Sequence, residues 1–94
     1  MNGEVLRRTI TITNPQGLHM RPIQAFVQAA LGFQAQVWVQ KPGGERVNGR
    51  SPLNLLTLGV EPGNQVIVEA EGPDAAEALD VLVKIFMTIP TEDQ

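Results

Sequence analysis

Apolar residues spaced two apart alternate along this chain with apolar residues spaced three and four apart, and glycine or proline separates each stretch from the next. This change of period limits the fold more than any other feature of the 94 residues. Period two belongs to a strand with one buried face, and period 3.6 to a helix with one apolar stripe. From Val5 to Thr13, Ile10 and Ile12 fall on one side and Thr9, Thr11 and Thr13 on the other, which is a half-buried strand. Asn14-Pro15-Gln16-Gly17 follows, with Pro second and Gly fourth as a type I turn prefers. From about Met20 to Leu31, Ile23, Phe26, Val27 and Ala30 recur at i, i+3, i+4 and i+7, giving one apolar helix face. With His19 as N-cap, Pro22 lies in the first turn, where its missing N–H costs no intrahelical bond. Gly32 suits the stop.

Phe33 to Gln40 returns to period two, with Ala35, Val37 and Val39 opposite Gln36, Trp38 and Gln40, so Trp38 should be partly exposed. Lys41-Pro42-Gly43-Gly44 turns the chain into a short strand over Glu45 to Gly49, and the pair reads as a hairpin. Ser51 to Gly59 is a helix of one or two turns, with Ser51 as N-cap, Pro52 at the first position and Gly59 at the stop. Leu55 and Leu58 are expected in the core. Glu61-Pro62-Gly63-Asn64 favours a type II turn. Gln65 to Glu71 is a fourth strand with Val66, Val68 and Ala70 on one face. Asp74, with Glu77 three residues on, resembles a capping box ahead of a helix striped by Leu79, Leu82, Val83 and Phe86.

The order is therefore β-α-β-β-α-β-α. It predicts an α+β domain, an open-faced two-layer sandwich in which a four-stranded antiparallel sheet carries three helices on one face. One domain should span residues 1–94, with its core at about 5–87 and a frayed acidic tail over 88–94.

Composition narrows the function. Seven Lys and Arg against ten Asp and Glu give a formal net charge of −3. That argues against a general nucleic-acid binder or a polybasic membrane anchor. An apolar content of 43% is too high for a disordered segment. Cysteine is absent, which excludes disulfides and thiolate metal sites. The first eight residues lack the apolar core of a signal peptide, so a cytoplasmic, uninserted protein is expected.

His19 is the single histidine, so any imidazole chemistry must happen there. A metal shell would need further ligands, and a serine-type triad would need partners that nothing marks; no metal and no cofactor are expected. At a helix start His19 would stand beside the backbone donors of Met20 and Arg21, a place that favours anions. The guanidinium of Arg21 can fork onto phosphate oxygens. Gly17-Leu18-His19-Met20-Arg21-Pro22 thus sets a nucleophilic nitrogen beside an anion cradle, the equipment for a covalent phosphohistidine. An ordinary surface histidine at a helix start remains the competing reading.

These residues resemble the active-site signature of HPr, the histidine-containing phosphocarrier of the bacterial phosphoenolpyruvate:sugar phosphotransferase system. Ala25-Phe26-Val27, Gly32-Phe33, Asn48-Gly49-Arg50-Ser51, Leu58-Gly59-Val60 and Glu69-Ala70-Glu71-Gly72 extend the likeness over roughly Val5 to Phe86. The resemblance implies that enzyme I, charged by phosphoenolpyruvate, phosphorylates Nδ1 of His19. The group then passes to a histidine of an enzyme IIA domain for sugar uptake. Arg21 would stabilise the phosphate and Pro22 would fix the entry of the first helix, after Gly17 and Leu18. Such a protein is a carrier and not an autonomous catalyst.

Docking would use Met20, Leu53, Leu56 and Arg50, although Leu53 and Leu56 could equally be core. Many relatives carry lysines along the first helix where this chain has Gln28 and Leu31, and Met20 replaces a usual small residue or threonine. Weaker electrostatic steering and a larger share of apolar contact follow. Ser51 falls where some relatives carry a serine phosphorylated by a dedicated HPr kinase. The motif after it, Pro52-Leu53-Asn54-Leu55, departs from the family run, and a plain helix cap is the favoured reading. A monomer serving enzyme I and IIA domains is expected. The alternatives are the same chemistry in a nitrogen-type regulatory relay and, more remotely, a metabolite-binding α+β regulatory domain.

Overall fold

The computed structural model describes residues 4–87. In chain order it has β1 (Val5–Thr11), α1 (Met20–Leu31), β2 (Gln36–Gln40), β3 (Val47–Asn48), α2 (Pro52–Leu56), β4 (Gln65–Glu71) and α3 (Ala75–Met87). The strands form one sheet in the order β1-β4-β2-β3, and every neighbouring pair is antiparallel. This is the expected α+β sandwich. The expected acidic tail over 88–94 lies outside the described residues.

Placing β4 between β1 and β2 gives the sheet two unlike faces. On one, Ile10 pairs with Val66, Val39 with Val68, and Val37 with Ala70, all buried. The helices cover this face: Ile23, Phe26, Val27 and Ala30 come from α1, and Ala78, Leu79, Leu82, Val83 and Phe86 from α3. Phe26 and Phe86 stack across the two helices with ring centroids 4.2 Å apart. Each is fully buried, and removing such a ring from water contributes on the order of 2–3 kcal/mol. From α2, Leu55 alone is buried, while Leu58 beyond it is half-buried against the core.

Several element ends differ from the sequence expectation, each for a local reason. β1 stops at Thr11 because Ile12 exchanges bonds with the turn before β4: its N–H donates to Asn64 and its carbonyl accepts from Gly63. In that turn Gly63 has φ +89° and Asn64 N–H donates to Glu61, as a type II turn requires. β2 begins at Gln36 and not at Phe33, because the backbone before it bonds side chains. The N–H groups of Gln34 and Ala35 donate to the Asp74 carboxylate at 2.9 and 2.8 Å. Asp74 therefore braces the α1–β2 connection with both oxygens, a role different from the expected capping box. β3 shrinks to two residues as Gly49 N–H reaches back to Val37.

The middle cross-strand row on the open face of the sheet is Arg7–Glu69–Trp38–Asn48. Glu69 lies at its centre with its side chain only 7% exposed, bonded to Arg7 on one side and Arg46 on the other. The Arg46 guanidinium also lies 3.9 Å above the Trp38 ring.

Candidate functional site

The segment between β1 and α1 is pinned before it reaches His19. Gly17 N–H closes the turn onto the Asn14 carbonyl at 2.8 Å, and Leu18 N–H donates to Val60 at 3.1 Å. Gly17 has φ +70°, and a Cβ there would fall 2.4 Å from the Val60 oxygen, so only glycine lets the two backbones meet. Leu18 is buried and anchors the strap.

His19 then stands as N-cap of α1 with an extended backbone, and its carbonyl accepts from Ile23 N–H at 3.2 Å. Pro22 is buried within the first turn. First-turn N–H groups point out of a helix end; since Pro22 has none, those of Met20 and Arg21 remain for the role. The half-buried imidazole makes no capping bond to its own helix. It turns instead to Asn14, whose Nδ2 lies 3.4 Å from Nε2. Asn14 is itself buried, and its Oδ1 accepts Gln16 N–H at 3.1 Å. This Asn14 contact was not apparent in the sequence, where the residue reads only as a turn former.

Met20 is 42% exposed beside the histidine. Arg21 is exposed and lines a groove of about 530 Å³ with Gln24, Gln28 and Pro52. That groove sets the start of α2 against the first half of α1. On α2, Leu53 and Leu56 are 70% and 39% exposed, which places them outside the core and available to a partner. Ser51 is the N-cap and its hydroxyl accepts Asn54 N–H at 3.2 Å.

Arg50 departs from its expected role at a docking face. Its guanidinium turns inward to the carbonyls of Phe33 and Ala35, and its Nε is buried without a partner. The charge is spent on holding the α1–β2 connection against β3. Gln28 and Leu31 are both exposed on α1, as their places along the first helix suggested.

Among the described residues, no three His, Cys, Asp or Glu side chains gather as metal ligands, and no helix is long and apolar enough to cross a membrane. A small open-faced sandwich with one imidazole at the mouth of its first helix belongs to the class of domains that carry a group on a histidine. Comparison with known proteins gives the same class. The family model described as the PTS HPr component phosphorylation site matches residues 6–88, and the chain belongs to the HPr family of phosphocarriers. It is similar to the phosphocarrier protein HPr of Neisseria meningitidis, with 38% identity over 82 residues covering 87% of this chain and 91% of the relative. It is also similar to the phosphocarrier protein NPr of Escherichia coli K12, with 34% identity over 88 residues covering 94% and 98%. Among solved structures, HPr-C-His from Thermoanaerobacter tengcongensis superposes with a TM-score of 0.80 at 43% identity, covering 86% of this chain and 90% of the other.

Proposed function

We propose that His19 takes a phosphoryl group on Nδ1 from enzyme I, charged in turn by phosphoenolpyruvate, and hands it to an enzyme IIA domain in the cytoplasm. The observation that carries the assignment is the contact at Asn14. Nε2 is the ring nitrogen held against a buried amide, which leaves Nδ1 as the nitrogen to present at the helix mouth. The Met20 and Arg21 N–H groups and the Arg21 guanidinium would receive the phosphoryl oxygens, since a helix N-terminus and a fork of donors both favour an anion. The core closes within one chain across all four strands and three helices, and the protein is proposed to work as a monomer. Incubation with enzyme I and labelled phosphoenolpyruvate should give an acid-labile, alkali-stable product in the wild type and none in His19→Ala. Label on the His19→Ala protein would sink the assignment.

A nitrogen-type regulatory relay is the second reading, supported by the character of the docking face. Gln28 and the 59%-exposed Leu31 replace positive charge along α1, and Arg50 is turned away. Partner contact would then rest on Met20, Leu53 and Leu56, and transfer should fall only gently with added salt. Comparing transfer to a sugar-system IIA domain and to a nitrogen-type one decides between the branches. Ser51 is proposed to act as a cap, because its hydroxyl is already engaged with Asn54 N–H. Phosphate found at Ser51 after incubation with an HPr kinase and ATP would assign it the regulatory role instead.

A further inference from the structure

The geometry points to Asn14 as a positioning residue that sets which nitrogen of His19 carries the proton, an inference that rests on His19 being the phosphoryl acceptor. An asparagine amide has one accepting end and one donating end. Gln16 N–H already donates to Oδ1, so the end turned toward the ring is the donating Nδ2. A neutral imidazole meets a donor only with its unprotonated nitrogen. Nε2 must therefore be bare at rest, and the proton sits on Nδ1. The contact is long at 3.4 Å, but Asn14 is buried and its other end is fixed, which holds the amide in one sense.

This resting tautomer is the wrong one for transfer through Nδ1, because a protonated nitrogen has no lone pair to offer. The reactive tautomer has Nε2–H and a bare Nδ1. It fits the same pocket once Asn14 turns its amide over, so that Oδ1 accepts from Nε2–H. The turn releases Gln16 N–H, and Gln16 lies on the exposed surface, where water replaces the lost acceptor. Because the ring is half-buried, solvent can deliver a proton to Nε2 and remove the one on Nδ1. The Nδ1 lone pair then forms the bond to phosphorus. The bond from phosphorus to the donor atom breaks with its electron pair remaining on the donor, and the Nε2 proton stays in its hydrogen bond to Oδ1. Asn14 thereby holds the free carrier unreactive and steadies the ring once it is charged.

The single histidine makes the test direct, since every imidazole nitrogen signal belongs to His19. Long-range 15N–1H correlation on the uncharged protein, at a pH well above the ordinary histidine range, should show a pyrrole-type Nδ1 and a pyridine-type Nε2. In Asn14→Asp, which can only accept, the two should exchange character. Asn14→Ala should lose the bias, so that neither nitrogen shows a dominant pyrrole-type signal. A dominant Nε2–H tautomer in the wild type, or a tautomer unchanged in Asn14→Asp, overturns the inference. The nitrogen spectrum needs no phosphoryl donor. A wild type that shows the Nδ1–H tautomer but takes no label from enzyme I would therefore refute the carrier assignment and leave the Asn14 contact standing.

Discussion

Gly17→Ala is the substitution whose cost follows most directly from the coordinates. At φ +70° an alanine pays about 1–2 kcal/mol relative to glycine for the left-handed conformation alone. Its Cβ would also sit 2.4 Å from the Val60 carbonyl oxygen and 3.1 Å from Glu61 Cα, both backbone atoms that no rotamer change can move. The two segments must separate, and the Leu18 N–H to Val60 bond of 3.1 Å is then lost, at about a further 1 kcal/mol. A loss of about 2–3 kcal/mol follows, which for a domain of this size lowers the melting temperature by on the order of 10 °C or more. Urea unfolding followed by circular dichroism should show the midpoint falling by about 1–2 M with an unchanged slope. Gly17→Asn separates the two causes. Asparagine tolerates the left-handed region but still carries a Cβ, so it should recover the conformational part of the loss and keep the cost of about 1 kcal/mol assigned to the lost approach. A destabilisation of Gly17→Ala below about 0.5 kcal/mol, or a Gly17→Asn protein as stable as wild type, would refute the close approach of Gly17 and Val60.

Three further outcomes are expected. Leu56→Glu changes an exposed side chain, so stability should stay within about 0.5 kcal/mol while transfer to a IIA domain weakens; equal transfer by both proteins removes Leu56 from the docking face. Arg50→Ala leaves the carbonyls of Phe33 and Ala35 without their donor and should cost about 2 kcal/mol in denaturant unfolding, with partner transfer per folded molecule unchanged. Glu69→Gln weakens the pairing to Arg7 and Arg46, and the loss, held to about 1 kcal/mol by the exposure of both arginines, should shrink as salt is added; a salt-independent change in unfolding free energy would contradict the charge-pair account.

The elements were legible wherever a residue's environment follows from its near neighbours. Alternation marked Val37, Val39, Val66 and Val68 as inward, and the 3.6 period marked Ile23, Phe26, Leu79 and Phe86. Local chemistry also placed the Ser51 cap and the glycines at 17 and 63. Side chains that reach across the fold were not legible. Asp74 has the spacing of a helix cap yet bonds Gln34 and Ala35, forty and thirty-nine residues away. Glu69 falls on the polar side of its strand and is buried only because Arg7 and Arg46 arrive from two other segments. Arg50 sits in a stretch shared with the family, but no periodicity says that its guanidinium turns inward. At the site itself, the histidine and its place at the helix mouth were readable from six consecutive residues. The amide held against its ring needed the turn geometry that folds Asn14 back.

The stacking of Arg46 on Trp38 has a practical consequence. Trp38 is the protein's only tryptophan, and the chain has no tyrosine, so its ultraviolet fluorescence reports on one spot. That spot lies on the open side of the sheet, in a groove that Trp38 lines with Arg46, Arg50 and Asn54 of α2. The emission will therefore follow melting of the sheet and the state of the Glu69 cluster. Unfolding of the sheet can thus be followed optically on the unlabelled protein, from one residue whose surroundings are known.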